Sequence, residues 1–190
     1  MPVRNIAVLV GSLRRASLSR KLAQALAELA PAGLALNIVE IGDLPLYNED
    51  VEAEGPSAAW IRFRDQVRAA DGVIFVTPEY NRGLPAAIKN AIDVGSRPYG
   101  QSVFNGKPAA VISQSPGALG GFGANHQLRQ ALVFLDMPVL QQPEAYLTHS
   151  AKLFDEAGKL TSEPVRELLT NLLGAYAKLI DVRAPLRAAA

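Results

Sequence analysis

Short apolar runs alternate along the chain with longer segments in which apolar residues recur every three or four positions. Uninterrupted short runs are typical of strands buried on both faces, and the longer spacing is typical of amphipathic helices. The predicted strands are residues 6–10, 36–41, 72–76, 109–113 and a short one within 139–147. The predicted helices are one through Leu18, Leu22, Leu26 and Leu29, one through Trp60, Phe63, Val67 and Ala70, one over 85–94, one through Leu128, Leu132 and Leu135, and a last one from near Ser162 through Leu179. This alternation predicts a parallel sheet covered by helices on both faces.

The number of strand–helix units defines the fold more closely. Five units in 190 residues predict an α/β, flavodoxin-like fold, in which a doubly wound parallel sheet has five strands in the order 2-1-3-4-5 and helices on both faces. No linker, repeat or low-complexity tract divides the chain, so we predict a single domain over 1–190. The acidic segment 49–56 is predicted to be a surface loop. Ligands in this fold bind beyond the carboxyl ends of the strands, so the segments after strands one, three and four are the candidate site.

The composition excludes several classes of protein. A net charge of +1 with scattered arginines gives no basic patch, so no nucleic-acid partner is expected. Without cysteine the chain cannot form disulfides or thiolate metal sites, and any redox chemistry must come from a bound cofactor. Two histidines are too few for a zinc site, so no metal is expected. We recognise no targeting signal and no apolar run as long as a membrane span, and we expect a cytoplasmic protein without a membrane partner.

The first loop, residues 11–19 (GSLRRASLS), is rich in hydrogen-bond donors at the start of a helix. It contains the hydroxyls of Ser12, Ser17 and Ser19 and the guanidinium of Arg14. A helix N-terminus presents unpaired N–H groups and a partial positive charge, and the side chains add the directed hydrogen bonds that a phosphate dianion needs. The loop therefore predicts a phosphate site, although it is not a P-loop. The alternative is that Ser17 only caps the helix and that Arg14 and Arg15 are solvated.

The second loop, residues 77–81 (TPEYN), follows the third predicted strand. A proline-containing turn at a strand end can hold a planar ring against its backbone, and Tyr80 adds an aromatic edge. The alternative, which the residues alone favour, is a type I or type II turn with a half-exposed Tyr80.

Taken together, two motifs carry a family resemblance. Gly-Ser-Leu-Arg-x-x-Ser-x-Ser, followed by Pro-Glu-Tyr-Asn-x-x-x-Pro-x-x-Ile-Lys-Asn-Ala-Ile-Asp, resembles the NAD(P)H-dependent FMN reductase family, which includes chromate, quinone and azo-dye reductases. The resemblance extends over nearly the whole chain, as far as the Gln-Pro-Glu at 142–144. It implies FMN as cofactor and NADPH or NADH as co-substrate. By this resemblance the phosphate contacts are Ser12, Arg14, Ser17 and Ser19, and the contacts along the isoalloxazine ring are Pro78, Glu79, Tyr80 and Asn81.

The third loop, residues 113–121 (SQSPGALGG), has glycines that would let backbone N–H groups approach a bound ring. In the family the matching loop approaches the pyrimidine edge of the flavin, which implies contacts from Ser113, Ser115 and Gly117. Amides directed at that edge would stabilise the negative charge of the reduced ring. The alternative is a glycine-rich connection that only turns the chain.

The chain departs from the family after this loop. Family members often carry an arginine shortly after the Gly-Gly pair, in a polar network between subunits with the glutamate of the Pro-Glu motif. Here Phe122, Gly123, Asn125 and His126 follow instead, so Glu144 lacks its usual basic partner.

The resemblance implies an FMN-dependent NAD(P)H oxidoreductase. Hydride would pass from nicotinamide to flavin N5 and then to a small acceptor (a quinone, free flavin, an azo compound or chromate), with ping-pong kinetics. Because the flavin supplies the chemistry, we expect no catalytic side chain. The alternatives are a flavodoxin-type electron carrier and a flavin-binding regulatory or scaffold protein. The alanine-rich segment 85–94 and the widely apolar last helix lead us to expect a homodimer or homotetramer.

Overall fold

The computed structural model describes residues 3–188 and contains one five-stranded parallel sheet in the order β2-β1-β3-β4-β5. The strands are β1 Arg4–Val10, β2 Leu34–Val39, β3 Gly72–Pro78, β4 Ala109–Gln114 and β5 Ala145–Leu147. The helices are α1 Leu18–Leu29, α2 Glu49–Glu54, α3 Ala58–Ala69, α4 Ala86–Gly95, α5 Phe122–Phe134 and α6 Glu163–Ala188, with a single 3₁₀ turn at Ser150–Lys152. The predicted fold and strand order are confirmed.

The sheet divides the core into two layers, because neighbouring residues of a strand point to opposite faces. In β3, Val73 and Phe75 pack towards α3, α4 and α5, where Trp60 is fully buried. On the other face, Ile74 and Val76 pack towards α1 and α6. Every residue of β3 is buried, as a central strand covered on both faces requires.

The segment after β2 corrects a prediction. Residues 49–54 form the helix α2 rather than a loop. Asn48 caps its first turn, since its side chain accepts a hydrogen bond from the N–H of Asp50 (2.9 Å), and Gly55 ends the helix at a φ of 132°. The segment has no apolar stripe that would have indicated a helix.

A buried ion pair holds α2 in place. Arg64 of α3 donates two hydrogen bonds to the carboxylate of Glu52, and only 7% and 12% of the two side chains are exposed. The Nε of Arg64 also donates to the carbonyl of Val94 in α4 (2.9 Å). The guanidinium lies 5.7 Å from the ring centroid of Trp60. One side chain thus ties α2 and α3 to the end of α4.

The connection between β2 and α2 is also fastened to α4. The Asn90 side chain accepts a hydrogen bond from the N–H of Tyr47 (2.9 Å) and donates to the carbonyls of Leu44 (3.1 Å) and Pro45 (3.0 Å). Because α4 follows the second loop, these contacts fix the elements that flank the candidate site.

Candidate functional site

The carboxyl ends of the central strands lie at one edge of the sheet. Val10 pairs with Val76, Pro78 pairs with Gln114, and Gln114 also pairs with Leu147. The first, second and third loops therefore leave the sheet side by side, as the strand order predicts.

In the first loop, Ser17 is the N-cap of α1. Its Oγ accepts a hydrogen bond from the backbone N–H of Arg20 (3.1 Å). The alternative interpretation, that Ser17 caps the helix, is therefore correct on this point. The cap uses a lone pair of the oxygen and leaves the hydroxyl hydrogen of this buried side chain available to an anion. Capping and anion binding are therefore compatible at Ser17.

Other donors of the first loop are also available to a ligand. The N–H groups of Leu18 and Ser19 lie in the first turn of α1, where no earlier helical carbonyl can accept from them. Arg14 is exposed and forms no ion pair within residues 3–188, and the Ser12 hydroxyl is buried beside the second loop. These groups are hydrogen-bond donors, one of them carries a positive charge and none is acidic. The first loop therefore suits an anion.

The second loop makes a tight reversal. Tyr80 and Gly83 exchange backbone hydrogen bonds of 3.1 and 2.9 Å, and the two residues between them, Asn81 and Arg82, have φ values of 51° and 63°. Two left-handed central residues define a type I′ turn. The alternative interpretation of this loop was therefore wrong in predicting a type I or type II turn. Its prediction of a half-exposed Tyr80 is confirmed. The Tyr80 hydroxyl donates to Ser12 Oγ across 3.4 Å and brings the first two loops together.

Glu79 connects the second loop to the helix after the third loop. Its side chain is only 9% exposed, and Oε2 accepts a hydrogen bond from the N–H of Ala124 (3.0 Å) in the first turn of α5. Gly121, the N-cap of α5, has no side chain to do this. A Cβ on Gly123 would lie 2.8 Å from the backbone carbonyl oxygen of Arg82 and 2.9 Å from Glu79 Oε2, so the close approach requires glycine there. Glu79 is thus a remote helix cap with a stabilising charge.

The serines of the third loop are engaged within the loop. Ser113 is fully buried, and its hydroxyl donates to the carbonyl of Gly120 (2.8 Å) while accepting from the Asn125 amide (3.2 Å). Ser115 Oγ accepts from the N–H of Gly117 (3.1 Å) and closes a small turn at the surface. Ser113 therefore shapes the loop from inside, and Ser115 and Gly117 lie at its outer end.

Two glycines at the end of the third loop are structurally required. Gly120 and Gly121 have φ values of 59° and 76°, and a Cβ on Gly120 would lie 2.6 Å from the carbonyl carbon of Tyr146. A Cβ on Gly117 would meet only Ser115 Oγ, at 3.6 Å. Gly120, rather than Gly117, is therefore the glycine at which the loop closely approaches another backbone segment.

An aromatic cluster of Phe122, His126 and Tyr146 lies beside Glu144. The Tyr146 hydroxyl donates to Glu144 Oε1 (2.7 Å) and is 3.0 Å from His126 Nε2, and the Phe122 ring packs on His126 with centroids 4.2 Å apart. Burial, followed by the hydrogen bond to Glu144, raises the pKa of Tyr146 to about 12. Glu144 thus has a hydroxyl partner within its own chain.

Together these loops place a cluster of donors beside a half-exposed tyrosine at the carboxyl edge of a 2-1-3-4-5 sheet. This geometry defines a flavodoxin-like α/β protein whose site suits an anionic cofactor.

Comparisons with known proteins identify the family. The family model for NADPH-dependent FMN reductase matches residues 4–152. A quinone reductase from Pseudomonas putida is 62% identical over 179 residues, which are 93% of this chain and 96% of that relative. A 2-hydroxy-1,4-benzoquinone reductase from a Burkholderia species is 46% identical over 178 residues, 94% and 97% of the two chains. A solved structure of FerB, a flavoenzyme NAD(P)H:(acceptor) oxidoreductase from Paracoccus denitrificans, has a TM-score of 0.88 and 40% identity, and the match covers 95% of this chain and 99% of that one.

This chain belongs to the NADPH-dependent FMN reductase family. It is an oxidoreductase that uses FMN and NAD(P)H, and the family, enzyme class and cofactors predicted from the two motifs are confirmed. The donor set of the first loop fits the FMN phosphate, since hydroxyls, a guanidinium and helix N–H groups can all donate to a dianion. When bound, FMN supplies the two-electron chemistry that no side chain of the chain can provide.

Two further observations concern residues 3–188. No helix in this range is long and apolar enough to cross a membrane. The same residues contain no group of three or more His, Asp or Glu side chains that could hold a metal ion.

Proposed function

We propose that this protein reduces a quinone-type acceptor with NAD(P)H by way of FMN held in the three loops. In the overall reaction NAD(P)H, a proton and a quinone give NAD(P)⁺ and a hydroquinone. The observation that carries the cofactor part is the contact between the donor-rich first loop and the second loop at Ser12 and Tyr80. The names of the 62% and 46% identical relatives support the acceptor class.

The first loop would hold the phosphate. Ser12, Ser17 and Ser19 would donate from their hydroxyls, Arg14 would supply a charge-assisted contact, and the N-terminus of α1 would add its partial positive charge. These are the phosphate contacts expected from the sequence.

The second and third loops would hold the ring. Pro78 ends β3 in a buried position, and Tyr80 and Asn81 would line the ring from the exposed turn that follows. Glu79 would act mainly through α5, since its carboxylate is already engaged there. The contacts proposed from the third loop are Ser113, Ser115 and Gly117, with Ser113 acting as the inner support of the loop.

No side chain is proposed as a general acid or base. The residues of this chain orient the cofactor, leave one face open to nicotinamide and acceptor in turn, and stabilise negative charge with loop amides. Quinone protonation can draw on solvent at this exposed edge.

Rapid mixing tests the proposal. Oxidised, FMN-loaded protein mixed with NADPH or NADH without oxygen should lose its visible flavin absorption, and adding 1,4-benzoquinone should restore it within the time of one turnover. A flavodoxin-type carrier would not be bleached by the nicotinamide. A regulatory protein would bleach but would not sustain turnover with quinone, and either result would refute the proposal.

Arg14→Ala should weaken FMN binding. Losing one charge-assisted hydrogen bond costs about 1.5–3 kcal/mol, or about ten- to a hundredfold in affinity. Riboflavin, which has no phosphate, should bind the variant and the parent protein alike. Arg15→Ala, at the adjacent exposed arginine, is the matched control and should leave FMN affinity within about twofold. Fluorescence titration of each apoprotein with FMN and with riboflavin measures these affinities, and an equal loss of FMN and riboflavin affinity in Arg14→Ala would contradict the assignment.

We also propose a homodimer or homotetramer that acts in the cytoplasm, where its nicotinamide substrate is found. Large apolar side chains stand exposed outside the loops, among them Tyr99 at 84% and Phe134 at 74%, and these two line the same surface cavity. Light scattering at micromolar concentration should report at least twice the 20.2 kDa of one chain. A fully active monomer would contradict this proposal.

A further inference from the structure

We propose that Gln114 is a positioning residue for the FMN phosphate, because its amide turns the hydroxyl of Ser19 towards the phosphate, and that Ser150 supports the amide in this orientation. The inference rests on the proposed phosphate site in the first loop. It adds two residues to that site, neither of which touches the cofactor.

Three buried polar side chains form a chain of hydrogen bonds behind the first loop. Gln114 Nε2 donates to Ser19 Oγ (2.9 Å), and Gln114 Oε1 accepts from Ser150 Oγ (2.5 Å). The exposed fractions of Ser19, Gln114 and Ser150 are 0%, 4% and 1%. These hydrogen bonds therefore join the first turn of α1, the end of β4 and the 3₁₀ turn after β5, all beneath the site and away from water.

The direction of these bonds decides what Ser19 can do. A serine hydroxyl has one hydrogen, and because Ser19 Oγ accepts from Gln114, that hydrogen must point elsewhere. No acceptor for it exists within residues 3–188. A buried donor without an acceptor is costly, and a phosphate oxygen at the N-terminus of α1 would satisfy it. Ser19 is therefore prepared to donate to an anion.

The opposite orientation of the Gln114 amide would remove this donor. Its carbonyl would then accept from Ser19, and the Ser150 hydroxyl would be left with a hydrogen that has no acceptor. An anion beside Ser19 therefore selects the observed orientation, since the hydroxyl hydrogens of both serines have acceptors only in that arrangement. The N–H of Ser150 donates to the carbonyl of Ser115 (3.1 Å), so the same series of hydrogen bonds links the phosphate site to the third loop.

The affinities of the apoprotein for FMN and for riboflavin test the inference. The quantity of interest is the ratio of the riboflavin Kd to the FMN Kd, which reports the phosphate contribution alone. Gln114→Met keeps the length of the side chain without its hydrogen bonds and should lower the ratio about tenfold, with riboflavin affinity changed by less than about threefold. Gln114→Glu should lower it further, because a carboxylate would take the Ser19 hydrogen and repel the phosphate. Gln24→Met, at an exposed position of α1, is the control.

Ser150→Ala should lower the ratio less than Gln114→Met does, and it keeps the test valid if the Gln114 variants do not fold. An unchanged ratio in Gln114→Met or Ser150→Ala, while Ser19→Ala lowers it, would overturn the positioning role and leave the phosphate site intact. Equal losses of FMN and riboflavin affinity would mean that Gln114 only supports the fold, which also overturns the inference. A ratio near one in the unmodified protein would instead show that the proposed phosphate site itself is wrong.

Discussion

Gly120→Ala is expected to disrupt the third loop and to lower both the stability and the FMN affinity of the protein. At a φ of 59° a side chain costs about 1–2 kcal/mol. The added Cβ would lie 2.6 and 2.7 Å from the carbonyl carbon and oxygen of Tyr146, which are backbone atoms that cannot rotate away, and such overpacking costs about 1–3 kcal/mol more. We therefore expect the free energy of unfolding to fall by about 2–5 kcal/mol. Urea denaturation of the apoprotein measures it, and FMN titration shows whether the loop still serves the cofactor.

Gly117→Ala is the matched control in the same loop. A Cβ there meets only Ser115 Oγ at 3.6 Å, so the free energy of unfolding should change by less than about 0.5 kcal/mol. If Gly117 touches the flavin as proposed, this variant should lose FMN affinity without losing stability. A Gly117 variant less stable than the Gly120 variant would contradict the assignment of Gly120 as the constrained position.

The fold could be predicted because its main elements are locally encoded. Every residue of β3 is buried, so its apolar run is continuous, and the leucines of α1 mark a single buried face. The edge strand β2 is only partly buried and begins at Leu34, two residues before the predicted start, because its mixed pattern gives no sharp boundary. The helix α2 could not be predicted, since the ion pair between Arg64 and Glu52 that holds it joins residues 12 positions apart on different helices.

The residue types of the candidate site are visible in the sequence, but not all of their contacts are. Hydroxyls, an arginine and a helix start are visible in the first loop, and the structure brings Ser12 to Tyr80 as expected of neighbouring loops. The partner of Glu79 lies 45 positions away in α5, and the partners of Gln114 lie 95 and 36 positions away. Such contacts depend on the folded arrangement of the loops, and no spacing within a motif indicates them.

Glu52→Ala should destabilise the protein strongly. It would leave the guanidinium of Arg64 buried without its carboxylate, and breaking a buried pair in this way costs about 3–5 kcal/mol. Asp43→Ala is the matched control, because it removes the carboxylate of an exposed pair with Arg62 in which 39% and 55% of the side chains are exposed. Exposed pairs contribute less than about 1 kcal/mol. Urea denaturation near neutral pH should separate the two variants, and equal losses would contradict the structural role of the buried pair.

Glu52→Ala should also show how Glu52 contributes to the loss of unfolding free energy at acid pH. The hydrogen bonds from Arg64 hold the pKa of Glu52 below its ordinary value of 4.5, although burial alone would raise it. Below that value the unfolded chain binds the proton more readily than the folded protein does. The contribution of Glu52 to stability is therefore complete above pH 4.5 and is lost as the pH falls through the lower pKa of the folded state. The difference in unfolding free energy between the parent protein and Glu52→Ala should shrink between about pH 5 and about pH 3. A difference that stays constant across this range would mean that Glu52 titrates alike in both states and that the pair with Arg64 does not stabilise its charge.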